Sequence, residues 1–138
     1  MSWIDALTFD RPRLRPPAAL EAIHEVEQQL GCRFPKDFVE FLTVHDGGDV
    51  CAKKYAIYSV GENHYPQNTL LAANRDLPPE YPLVNAGFGP NEQFGFRKVD
   101  LPAASCAVYR IFHETWELKH LAPSFRELLT ALARCESI

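Results

Sequence analysis

No stretch of this chain approaches the roughly twenty consecutive apolar residues that a membrane-spanning helix requires. Met1 to Arg15 also lacks the basic start and apolar run of a secretory signal. Both absences point to the cytoplasm. Basic residues are outnumbered, with 14 Lys and Arg against 18 Asp and Glu and a formal net charge of −4. That balance disfavours non-specific attraction to nucleic-acid phosphates and leaves basic protein partners admissible. The four cysteines, Cys32, Cys51, Cys106 and Cys135, show no C-x-x-C pairing and no histidines at zinc-finger spacing, so buried free thiols are expected. Internal repeats and low-complexity segments are also missing.

Chemistry-bearing motifs are equally sparse. Gly87 and Gly89 lack the third glycine and the immediate helix of a dinucleotide-binding loop, because Pro90 and a second strand follow. His113 and Glu114 begin like a metalloprotease helix, yet the fifth position is Glu117 and the preceding residues read as a strand. His113, Glu117 and His120 are therefore not expected to hold zinc. Cys51 and Cys106 stand in no recognisable catalytic context, although a small hydrolase using His113, Glu114 or Cys51 is the enzymatic alternative. Glu114 and Glu117 read as a solvated face. Neither catalysis nor a cofactor is expected.

What is present is the composition of one soluble domain. Hydrophobic residues make up 46% and charged residues 23% of 138, enough for a single core spanning 1–138, with residues 1–15 as a docked tail. Leu20, Ile23, Val26 and Leu30 recur at helical spacing, while Glu21, Glu25, Gln28 and Gln29 face away and Gly31 ends the helix. Pro35 fits the first position of a second helix, with Phe38, Phe41, Leu42 and His45 on one face and Asp46, Gly47 and Gly48 stopping it. A strand is predicted over 54–60. Residues 62–76 fit a short helix or an extended connection. Residues 83–99 read as a hairpin around Gly87–Asn91, 107–113 as a strand inside a sheet, and 114–118 as an edge strand or a turn. Ser124 and Glu127 have capping-box spacing for a closing helix carrying Phe125, Leu128, Leu129 and Leu132. The sum is an α+β domain: an N-terminal helix pair, a mostly antiparallel sheet, and a C-terminal helix packed on it.

Ile23, Glu27, Leu30 and Gly31, then Phe34, Pro35, Asp37 and Phe38, then Phe41, Leu42, Asp46, Gly47 and Gly48 carry a resemblance to the N-terminal signature of the SUKH superfamily. Phe94, Gly95 and Phe96, and Ala122, Ser124, Phe125 and Leu128, extend it more loosely toward the end of the chain. At Asp46 the family more often has asparagine; both residues tolerate a left-handed turn. The resemblance implies the same α+β arrangement. It also implies a non-enzymatic protein-binding role, either as a bacterial immunity protein that neutralises a polymorphic toxin or as a regulatory scaffold like the superfamily's fungal cell-wall regulator.

Asp46, Asp49, Tyr65, Glu92, Trp116 and Glu117 are the candidate partner-binding residues. Aromatics at a rim give large contact area at low entropic cost, and carboxylates beside them can pair with lysine or arginine of a protein client. The alternative reading puts Trp116 under the last helix and makes Asp46 a helix terminator. Neither nucleic acid nor membrane is expected as a partner.

Overall fold

The computed structural model describes residues 2–136. The chain enters through an edge strand, β1 (Arg13–Leu14), and then forms α1 (Leu20–Leu30) and α2 (Lys36–Val44). Ile23 and Val26 of α1 are buried, and Gly31 at φ 70° closes the helix by donating its N–H to the Gln28 carbonyl. Leu20 departs from expectation: it is 50% exposed. The helix meets the body one turn later, at Ile23, while Ala18, just before the helix, packs against the core with its N–H bonded to the Leu42 carbonyl.

Two buried acids lock the helix pair. The Glu27 carboxylate accepts the Phe34 N–H at 2.6 Å, across the connection between α1 and α2. Asp37 accepts the N–H of Phe38 at 2.9 Å and that of Arg126 at 3.0 Å, so one carboxylate serves the first turns of two helices. Pro35 takes the N-cap position, one residue earlier than its spacing suggested.

Two short strands, β2 (Gly48–Val50) and β3 (Tyr55–Ile57), follow α2. The connection over 62–76 resolves into a 3-10 turn at Pro66–Asn68 and a short helix, α3 (Leu70–Asn74), capped by the Thr69 hydroxyl. Asn74 then bonds both the N–H (2.7 Å) and the carbonyl (3.0 Å) of Asn85, satisfying a strand edge beyond the point where β3 stops pairing. The hairpin is β4 (Leu83–Gly89) and β5 (Glu92–Arg97), followed by β6 (Val108–Phe112), β7 (Leu118–Ala122) and α4 (Phe125–Ala133). The seven strands lie in sequence order and every neighbouring pair is antiparallel. The fold is α+β, with β6 inside the sheet as expected, flanked by β5 and β7, and with the last helix against the sheet.

Phe38, Phe96 and Phe125 meet at the centre, with ring centroids 4.9 to 6.4 Å apart, and join α2, β5 and α4. The tail divides into two parts. Ile4 is buried in the core, whereas Arg13 and Leu14 enter the sheet opposite Asp49 and Gly48. Gly48 makes this pairing possible: at φ 125°, a Cβ there would run into the Arg13 carbonyl. Gly95 meets a similar barrier, since a side chain would collide with the Val84 carbonyl across the hairpin. Gly95→Ala is therefore expected to cost about 3 kcal/mol of unfolding free energy, read as a lower urea midpoint at unchanged slope.

The expectation of four free thiols is corrected by the fold. Cys51, in the β2–β3 turn, is disulfide-bonded to Cys135 just past α4, 84 residues away. Cys32 and Cys106 are free and half-buried. Only the packing of α4 brings the first pair together, so spacing along the chain carried no trace of it.

Candidate functional site

The six candidate residues do not form one surface. Asp46 is buried, and its carboxylate accepts the N–H of Val60 at 2.6 Å and of Gly61 at 2.9 Å. It ties the end of α2 to the segment after β3 and offers nothing to a partner. That corrects its expected place on a recognition surface: its hydrogen-bond partners lie fourteen and fifteen residues on, where spacing could not show them. Asp49 and Tyr65 sit on the β1–β2–β3 flank of the sheet, where both line a cavity of about 410 Å³. Glu92, Trp116 and Glu117 belong to the opposite flank, at the tips of the β4–β5 and β6–β7 turns.

That turn end is built from the register of three strands. Glu92 pairs with Phe112 and Phe94 with Arg110, so Glu92, Arg110 and Phe112 project to one side. Glu92 is buried, with Oε2 3.4 Å from Nη1 of Arg110, and is thus a supporting group and not the surface carboxylate expected. The Arg110 guanidinium lies 4.7 Å from the Phe112 ring centroid and the Lys119 ammonium 5.8 Å from it. Sequence reasoning missed these two cations as part of the site. Arg110 carries a signal in the sequence, since it alternates with Val108 and Phe112 along one side of β6; Lys119 lies on β7 and carries none.

Above this base stands the β6–β7 turn. The Trp116 N–H bonds to the Phe112 carbonyl at 2.8 Å, and the His113 N–H reaches the Asn91 carbonyl at 3.1 Å, fastening the turn to the neighbouring hairpin tip. Trp116 is 68% exposed and has φ 58°. It is not packed under the last helix. A bulky residue in the left-handed region costs roughly 1 kcal/mol or more, and such strain gathers where function keeps it. Glu117 beside it is exposed, 3.8 Å from Lys119.

Burial pushes the Glu92 carboxyl above the ordinary glutamate range, while Arg110 and, less strongly, His113 act in the other direction. The folded state therefore holds this proton more tightly than the unfolded chain does. The stability contributed below the unfolded value is lost as pH rises through the raised folded one. Glu92→Gln removes this titration. The unfolding free energy of the wild type minus that of the variant is expected to fall as pH rises through and above the ordinary glutamate range in paired urea titrations.

No group of three or more His, Cys, Asp or Glu that could hold a metal stands together among the described residues. Cys51 carries no free thiol. Burial pushes the Cys32 and Cys106 thiols up to about 11, with nearby Glu27 and Asp100 respectively adding to the effect, so neither supplies much thiolate near neutrality. Residues 17–131 match the model of the SMI1 / KNR4 family (SUKH-1). No curated protein matches the chain.

Proposed function

Because the chain belongs to the SMI1 / KNR4 family (SUKH-1), we propose that it is a non-enzymatic protein-binding domain, and specifically an immunity protein that neutralises a cognate toxin by stoichiometric burial. The observation that carries this reading is Trp116, an exposed aromatic held in a strained turn and braced by the β4–β5 tip. Rigid aromatic anchors of this kind dominate binding energy at protein interfaces. Glu114 and Glu117 flank it, so the complementary surface carries an apolar recess rimmed by lysine or arginine. The negative net charge would speed encounter with such a partner.

The test is co-expression with the product of a neighbouring large toxin gene, scoring cell survival and a one-to-one complex by size exclusion. Rescue together with a stable complex is expected. Failure of both, with several other proteins captured, would replace this reading by that of a regulatory scaffold.

The place of action in this proposal is the cytoplasm. No helix among the described residues is long and apolar enough to cross a membrane. The disulfide bears on this placement, since cytosolic thiol buffers keep most cysteine pairs reduced. Acid-quenched alkylation of protein taken directly from cells is expected to label all four cysteines, the cytosolic buffer holding the Cys51–Cys135 bond open until extraction; labelling of Cys32 and Cys106 alone would move the protein to an oxidising compartment.

A further inference from the structure

The cavity on the β1–β2–β3 flank has a composition that the toxin-binding reading does not use. Its walls include Arg13, Arg15 and Lys53 with a single carboxylate, Asp49, so three permanent cations leave a formal excess of two on a chain whose total is negative. Arg13 and Asp49 face each other across β1 and β2 but form no ion pair within 4.0 Å. The Arg13 and Lys53 side chains have no hydrogen-bond or ion-pair partner among the described residues. Arg15 spends one terminal nitrogen on the Glu62 carbonyl, while its Nε is buried without a partner. An unsatisfied buried donor of this kind costs free energy unless something in the cavity accepts from it.

The backbone gives a second, independent sign. Cys51, Ala52 and Lys53 all have positive φ, at 55°, 54° and 72°, although none is glycine. This strained run carries Lys53, which lines the cavity together with Arg13. His64 and Tyr65, whose rings meet edge to face at 4.9 Å, also line it, together with Asn63 and Asn68. About 410 Å³ is within the range of small-ligand sites and far larger than one oxyanion needs.

We propose that this cavity binds a phosphomonoester. The phosphate dianion is held between Arg13, Arg15 and Lys53, and the organic portion lies against His64 and Tyr65. A phosphate monoester carries nearly two negative charges at neutral pH, which matches the excess, whereas a lone carboxylate would leave one cation uncompensated. The guanidinium forks suit its oxygens in bidentate geometry. The inference is independent of the toxin-binding proposal, since it concerns the other flank of the sheet and needs no protein client.

The experiment is a titration of the whole protein with inorganic phosphate and, separately, with adenosine monophosphate, at constant ionic strength set with chloride. Binding is followed by amide chemical shifts. The expected result is saturable shifts confined to residues around Arg13, Asp49, Lys53 and Tyr65, with the monoester binding at least tenfold more tightly than phosphate. Arg13→Ala and Lys53→Ala should each weaken monoester binding roughly tenfold, the loss of one charge-assisted contact. Both residues are exposed, so their melting temperatures should stay at the wild-type value, and Lys98→Ala, just past β5 and four strands from β1, should bind normally. The proposal is overturned by the absence of saturation, by equal affinity for phosphate and monoester, or by binding that Arg13→Ala and Lys53→Ala leave intact.

Discussion

Trp116→Gly is expected to move binding and stability in opposite directions. The ring is 68% exposed, so removing it sacrifices little packing within the chain. Its φ of 58° is one that glycine adopts without steric cost, so the variant should gain roughly 1 kcal/mol in urea unfolding. Affinity for the client should fall about a hundredfold, the usual scale for losing an aromatic anchor. Trp116→Ala separates the two effects: it keeps the left-handed strain, and is expected to lose the affinity without gaining stability. Calorimetric titration against the client, alongside urea curves for both variants, reads each quantity. A glycine variant that binds as the wild type does would remove Trp116 from the interface. One that unfolds more easily would show that the turn depends on the indole for its shape.

Phe38→Ala should produce the largest loss of stability, about 3 to 5 kcal/mol. The side chain is wholly buried and lies 5.3 Å from Phe34, 5.4 Å from Phe96 and 4.9 Å from Phe125, measured between ring centroids. Truncation leaves a void shared by α2, β5 and α4, three elements that cannot all close on it together. Small domains have roughly 5 to 15 kcal/mol in total, so much of the margin would go. Phe38→Leu, which leaves more of the volume filled, should cost less than half as much. A loss below about 1 kcal/mol for the alanine variant would mean that the aromatic cluster collapses to fill the gap, and that the three elements are less firmly seated than their geometry indicates.

The parts of the fold legible in the sequence were those whose pattern repeats within a single element. α1, α2 and α4 each carry an apolar stripe at helical spacing and a readable terminus at Gly31, Pro35 or Ser124. The β4–β5 hairpin announced itself through Gly87–Asn91 between two β-prone runs. β1 and β2 span only two and three residues, too few for any period to register, and β2 opens on a glycine that would normally signal a turn. The edge strand or turn expected over 114–118 divides between the β6–β7 turn and the start of β7 at Leu118, whose Lys119 and His120 hide the strand because an edge has one side open to water.

At the candidate site, charge and ring type were legible but depth was not. Asp46 and Glu92 look like surface acids, yet Val60, Gly61 and Arg110 draw them inward through contacts 14 to 18 residues away. Trp116 was compatible with either a buried or an exposed place until its turn was seen. The cations of the 410 Å³ cavity come from an edge strand and a short strained turn, which no local pattern would assemble.

The bond between Cys51 and Cys135 also determines how the chain behaves under pull. It encloses everything from β3 to the end of α4 in a covalent ring. Force applied along the closed form passes through the bond and bypasses that ring. The 84-residue separation between the cysteines then adds nothing to the extended length, whereas with the bond open all of it does. A motor that draws polypeptide through a narrow channel meets a single strand until it reaches Cys51 or Cys135, and from there two strands side by side. Whether such a machine can clear this protein would thus depend on one sulfur–sulfur bond.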